Sequence, residues 1–332
     1  MCGIIGYLDK AGQRKSQLGA TMLGMMTALC RRGPDSAGIA FYGDGDDSLR
    51  VRIKLGERGD CSDRAALVQR EVSALATVHE RDHHGEYLRL VLERVDDPRK
   101  VQAAIERIDP EIEVISCGHS LDLVKQVGSP QNLDERFGIS RAAGTHAIAH
   151  TRLSTESRID LSHSQPFWAH GSLDLATVHN GHITNYHKLR RQYEERGVRF
   201  YTENDSEIIG IYLAEQLDAG VAFTEALERS IVFFDGSFSY LAATRDEIGF
   251  AKDLFGFKPL IVSDSAEFVA IATEEIALRV TFGEDVATWE PPPGTVRSWR
   301  VDGTTPRRSA VSRTREPVAS AAAHSESLHG NR

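Results

Sequence analysis

Two blocks of short apolar strands, residues 1–42 and 144–300, are punctuated by Gly, Asn and Asp turns, and a charge-dense stretch, 43–143, separates them. Compact domains rarely carry structureless loops longer than about 15 residues, so a connection of about 100 must fold. It carries a pattern of its own. Residues 49–56 (LRVRIKLG) alternate like a strand, and Val68, Val72 and Leu75 mark one face of a helix. Residues 86–95 (EYLRLVLERV) read as a strand, Val101, Ile105 and Ile108 mark a second helix, and 111–116 (EIEVIS) read as a strand. Strands alternating with helices predict a small inserted α/β lobe, 43–143, outside the core that flanks it.

In the flanking blocks, residues 2–8 read as a strand. A helix is expected over 16–30, with Leu18, Met22, Met25, Met26 and Leu29 on one face. The turn cluster Arg32-Gly33-Pro34-Asp35-Ser36 must end it, and 39–42 is the next strand. Strands follow at 146–153 and 175–183, helices at 186–196, 206–217 and 223–233, and closely spaced short strands from 236 to 299. Many strands with helices grouped between them predict an α+β layered sandwich. Residues 303–332 contain no aromatic residue. A tail of that composition buries too little surface to offset chain entropy, so 301–332 is expected to be disordered.

Composition removes several function classes. A length of 332 residues allows about two domains of ~150. No apolar run approaches the ~18 residues of a membrane span, and the start, MCGIIGYLDKAG, lacks the basic and long apolar parts of a secretory signal. A cytoplasmic location is expected. The net charge of −9 argues against binding nucleic acid through its phosphates. Four cysteines show no CxxC spacing, so neither a disulfide framework nor a zinc ribbon is predicted. His79, His83 and His84, in HERDHHGE, lack a fourth ligand and read as a solvated loop; no metal site is expected.

Cys2 is the first candidate for chemistry. Once Met1 is removed, Cys2 carries both a thiol and a free α-amine, and an amine of pKa ~7.7–8.0 can serve as base to its own side chain. The bland alternative is a small hydrophobe opening a strand. Arg152 offers a rigid fork for a carboxylate or, more plainly, a surface ion pair. Asn180-Gly181, closing LATVHNG, is a turn or else a pair of N–H donors for an oxyanion. Asp205 or Ser206, before an apolar-periodic helix, reads as an N-cap.

Six blocks in order, Cys2-Gly3-Ile4-Ile5-Gly6, Arg32-Gly33-Pro34-Asp35-Ser36-Ala37-Gly38, His150-Thr151-Arg152-Leu153-Ser154-Thr155, His163-Ser164-Gln165-Pro166-Phe167, His179-Asn180-Gly181 and Glu203-Asn204-Asp205-Ser206-Glu207, resemble the class II glutamine amidotransferases. The whole chain is most similar to stand-alone glutamate-synthase-related subunits, including the amidotransferase-like subunit of N-methylglutamate synthase. The resemblance implies a four-layer αββα N-terminal-nucleophile hydrolase fold. It implies that Cys2 is the nucleophile, that Asn180 and Gly181 form the oxyanion hole, and that Arg152, with Thr155 beside it, grips the α-carboxylate of L-glutamine. Asp205 would take the α-ammonium, and Arg32 would support the loop around the nucleophile. Leu153 stands where sugar-phosphate amidotransferases carry an aromatic. No cofactor is expected in this chain; ammonia would pass to a separate synthase subunit with flavin or iron–sulfur chemistry.

Three rivals stand beside this. A Cys–His hydrolase would activate Cys2 through one of His150, His163, His170, His179 or His182. A free-standing amidohydrolase would release its ammonia to water. A regulatory subunit would keep the fold without turnover.

Overall fold

The computed structural model describes residues 2–57, 61–153 and 158–303. The chain begins β1 (Gly3–Asp9), α1 (Leu18–Leu29), β2 (Ser36–Tyr42). It continues β3 (Leu49–Lys54), α2 (Ser62–Ser73), β4 (Thr77–His84), β5 (Tyr87–Glu93), α3 (Pro98–Glu106), β6 (Glu113–Gly118), β7 (Leu121–Val127), α4 (Pro130–Phe137). After β8 (His146–Arg152), β9 (Phe167–Trp168) and β10 (Ala176–Ile183) come three helices, α5 (Tyr186–Glu195), α6 (Glu207–Asp218) and α7 (Phe223–Phe233). The end is β11 (Gly236–Ala243), β12 (Glu247–Lys252), β13 (Ile261–Asp264), β14 (Phe268–Ala272), α8 (Glu275–Phe282) and β15 (Val296–Arg300).

Four layers follow from which faces are apolar. One sheet has the order β13-β14-β1-β8-β2-β7, the other β15-β12-β11-β10-β9. Between them lie Ile4, Leu8, Ile148, Val178, Leu241, Phe250 and Ile271, all without exposure. The alternate residues of the first sheet, Ile5, Tyr7, Ile39 and Ala149, face the Leu18, Met22, Met25, Met26 and Leu29 stripe of α1, as its spacing predicts. Each Leu, Ile or Met side chain among these, fully buried, contributes about 1.5–3 kcal/mol. On the far side α5, α6 and α7 cover the second sheet through Leu189, Ile208, Leu213, Leu227 and Ile231. This is the αββα sandwich expected. No described helix is long and apolar enough to cross a membrane.

The stretch 43–143 divides differently from the expectation. Residues 49–118 form a separate antiparallel sheet, β4-β5-β3-β6, with two helices in the order βαββαβ, a split βαβ arrangement. β7, however, pairs with β2 from Ser36↔Val127 to Tyr42↔Leu121 and is an edge strand of the first core sheet, while α4 packs against α1. β7 escapes a sequence reading because Asp122 and Lys125 interrupt its apolar pattern. The Asp122 carboxylate turns toward the lobe, where Arg52 and Arg89 grip it at 2.8 and 3.0 Å, while the Lys125 ammonium donates to the carbonyl of Ser164 at 3.0 Å. HERDHHGE is not a loop but most of β4, an exposed edge strand whose His79 and His84 sit beside Glu93 and Asp82. Its charged side chains discourage further strand pairing along the edge. Of the tail, Val301–Gly303 form a turn; the expectation of disorder falls on residues outside the description.

Candidate active site

β1, β8 and β10 converge at one end of the sandwich. The register pairing Gly3 with Thr151 sets Cys2 beside Arg152, and the Cys2 thiol lies 3.7 Å from the carbonyl oxygen of Leu153. Cys2 is partly exposed, whereas Arg152 is 4% exposed. Burial holds the Arg152 guanidinium below its ordinary value against the opposing pull of Cys2, Asp160 and Asp35. One arm of its fork donates to the carbonyl of Arg158 at 2.8 Å, which ties the strand to the loop that follows. Thr155 lies outside the described residues.

Asn180 is 4% exposed, yet among the described residues its Nδ2 has no hydrogen-bond partner. Buried donors are nearly always paired, so this donor is free to serve a bound acceptor. Strand alternation adds a second donor. The N–H and C=O of His179 point away from β11 and are taken by the Gln165 side chain, Oε1 at 2.6 Å and Nε2 at 3.2 Å. Two residues further, the N–H of Gly181 projects to that same edge; two further again, the N–H of Ile183 donates to Asp205 Oδ2 at 2.8 Å. Gln165 and Asp205 therefore clamp the strand on either side of one N–H that is free among the described residues. Gly181 has φ +149°, and a Cβ there would meet Ser237 O at 2.3 Å, so only glycine fits.

Asp205 is not a helix cap. Neither it nor Ser206 caps α6 through its side chain. The Asp205 carboxylate sits 3.7 Å from His179 Nδ1 and 3.6 Å from His182 Nδ1. Ser206 Oγ contacts His179 Nδ1 at 2.8 Å and accepts from Gln165 Nε2 at 3.1 Å. Arg32 is further back: it pairs with Glu274 at the start of α8, while the turn after it packs Gly33 against Thr151 and Arg152. A Cβ on Gly33 would meet the Thr151 carbonyl oxygen at 2.3 Å, so the turn seats against the strand carrying Arg152.

The histidines take structural places. Burial pushes His150 down to about 3, and its Nε2 meets the His179 carbonyl at 3.2 Å; burial likewise pushes His146 down to about 4 and His170 to about 3. His163 bridges Asp160 at 2.7 Å and Glu203 at 3.1 Å. Among the described residues none is hydrogen-bonded to the Cys2 thiol. Gln165 and Ser206 are the contributors that residue-by-residue reading misses; the HSQPF block was the available signal.

A glutamine amidotransferase domain family matches residues 150–280. A solved glutamine phosphoribosylpyrophosphate amidotransferase from B. subtilis aligns with TM-score 0.58 at 19% identity, over 92% of this chain and 49% of that one. The chain thus spans about half of that structure, and the likeness is one of fold. A putative glutamine amidotransferase of Methanothermobacter thermautotrophicus is 38% identical over 288 residues, 84% of this chain and 93% of its own. The chain belongs to the class II glutamine amidotransferases. The glutamine amidotransferase-like protein GlxB of Rhizobium meliloti is similar over more of the chain, 32% identical across 90% of it and 98% of GlxB.

Proposed function

We propose that the chain hydrolyses L-glutamine through a Cys2 thioester and passes the ammonia to a separate synthase subunit. The observation that carries the site assignment is the buried, unpartnered Nδ2 of Asn180 beside the outward N–H of Gly181. With Met1 removed, the Cys2 amine takes the thiol proton and Sγ attacks the δ-carbonyl carbon of glutamine. The carbonyl oxygen becomes an oxyanion held by Asn180 and Gly181. The amine returns its proton to the leaving nitrogen, ammonia departs, and the thioester remains. Water, deprotonated by the same amine, adds to the thioester carbon and releases glutamate with the thiol restored. Arg152, with Thr155, holds the α-carboxylate and Asp205 the α-ammonium, a fixed cation and anion for a zwitterion.

The separate partner is supported by the resemblance of the whole chain to stand-alone glutamate-synthase-related subunits. Any flavin or iron–sulfur chemistry, of a glutamate-synthase-like or N-methylglutamate-synthase-like kind, belongs to that partner in the cytoplasm. Ammonia release by the purified chain, alone and with proteins that co-purify from native extract, tests this. Slow hydrolysis accelerated by the partner is expected; full, unregulated turnover by the isolated chain would make it a free-standing amidohydrolase.

A further inference from the structure

The split βαβ lobe lies on the two segments that carry the glutamine clamps, and it meets them through polar side chains. On the carboxylate side, Lys54 Nζ of β3 donates to Ser162 Oγ at 2.5 Å, and Ser162 Oγ donates to Glu113 Oε2 of β6 at 2.6 Å. From β7, Lys125 Nζ donates to the carbonyl of Ser164 at 3.0 Å, and Tyr87 of β5 donates to the carbonyl of Lys125 at 2.8 Å. These bonds fix residues 158–165, whose Arg158 carbonyl holds Arg152 and whose Gln165 holds the oxyanion strand.

The ammonium side has a parallel arrangement. Tyr201 donates its hydroxyl proton to Glu106 Oε2 of α3 at 2.7 Å and accepts from Gln102 Nε2 at 3.3 Å. The Tyr201 ring stacks on His170 with centroids 3.6 Å apart. Its N–H and that of Thr202 both donate to the Glu207 carboxylate, 3% exposed, which pins the loop leading to Asp205. Lys54, Glu113, Lys125 and Glu207 are all buried. Buried charges that are fully partnered are costly to rearrange, so they hold one geometry.

We propose that the lobe is the positioning element of the glutamine pocket. It sets substrate affinity through two independent contacts, Lys54–Ser162–Glu113 behind Arg152 and Glu106/Gln102–Tyr201 behind Asp205. This rests on the glutaminase reading for which end of the substrate each clamp binds. None of the contact residues reaches the thiol or the oxyanion donors. They act on binding, not on the chemical step.

The test uses the full chain. Glutamine binding is measured by calorimetry in a Cys2→Ala background, and kcat and KM with Cys2 present. Ser162→Ala and Tyr201→Phe should each weaken glutamine binding about tenfold, the scale of one buried hydrogen bond to a charged group, with kcat changed less than about twofold. The double variant should show the product of the two effects, since the contacts are separate. Ser162→Thr, which keeps the hydroxyl, should restore affinity. Tyr193→Phe loses a similar bond to Glu215 (2.9 Å) away from the lobe and should leave affinity unchanged. Unchanged glutamine affinity in both variants, with a normal parent, overturns the proposal alone, as does a kcat collapse at constant affinity. A parent that neither binds nor hydrolyses glutamine overturns the glutaminase reading and the proposal with it.

Discussion

Replacing Asn180 by alanine should separate activity from stability. The side chain is buried and its Nδ2 lacks a partner among the described residues, so the folded enzyme already bears the cost of an unsatisfied donor, about 1–3 kcal/mol. Alanine removes that cost and loses only a few packed atoms, each methylene-sized group being worth about 0.8 kcal/mol. The two nearly cancel, and the midpoint of thermal unfolding should move by no more than about 2–4 °C. The oxyanion exists only after attack, so its donor matters to the transition state and not to bound glutamine. Loss of one such donor costs about 2.7–4 kcal/mol, or ~10²–10³ in kcat, with KM held. Initial rates of glutamate formation across glutamine concentrations, with a thermal melt on the same preparation, read both quantities. A kcat within about threefold of the parent, or a melt lowered by more than about 10 °C, refutes the reasoning.

Gln165→Leu strips partners from the N–H and C=O of His179; stability should fall by about 2–5 kcal/mol and kcat by about tenfold or more, as the oxyanion strand shifts, which urea unfolding and initial rates report. Deletion of 43–143 with a short linker should fail to give soluble folded protein, because it removes β7 and α4, whereas deletion of 49–118 alone should keep the sandwich, as circular dichroism and melts would show. Acid should destabilise the protein well before its carboxylates titrate. His146, His150 and His170 are pushed by burial to about 4, 3 and 3, below their unfolded ~6.5, so as pH falls only the unfolded chain takes up protons. Each removes about 2 kcal/mol at pH 5. His163, raised chiefly by its Asp160 hydrogen bond, works oppositely, its contribution full below ~6.5 and lost as pH rises through its folded value. Unfolding free energy that stays flat from pH 7 to pH 5 would contradict this.

Where burial follows a simple period, sequence was sufficient. The Met-rich face of α1 and the alternating strands β1, β8 and β10 could be read directly, because one face of each meets a core. β7 and β4 could not. β7 buries Lys125, bonded to the Ser164 carbonyl, and leaves Asp122 partly buried against Arg52 and Arg89, and β4 is exposed along nearly its whole length, so neither shows apolar alternation. The proposed site was legible as a set of motifs, since Arg152, Asn180, Gly181 and Asp205 sit in distinctive blocks. Their geometry was not. That Asp205 caps a strand N–H rather than a helix, and that Gln165 substitutes for a missing strand at His179, depends on segments distant in sequence meeting at one edge. Arg32 likewise needed the α8 position of Glu274 to show what it grips.

The central claim is that one residue supplies both nucleophile and base, and intact mass spectrometry of the active chain, rapidly acid-quenched during glutamine turnover, tests it most directly. The account predicts a mature chain beginning at Cys2, with a fraction heavier by one γ-glutamyl group that peptide mapping places on Cys2 and that Cys2→Ala abolishes. Undiminished glutamine hydrolysis by protein that fully retains Met1, or a γ-glutamyl adduct on any other residue, would contradict it.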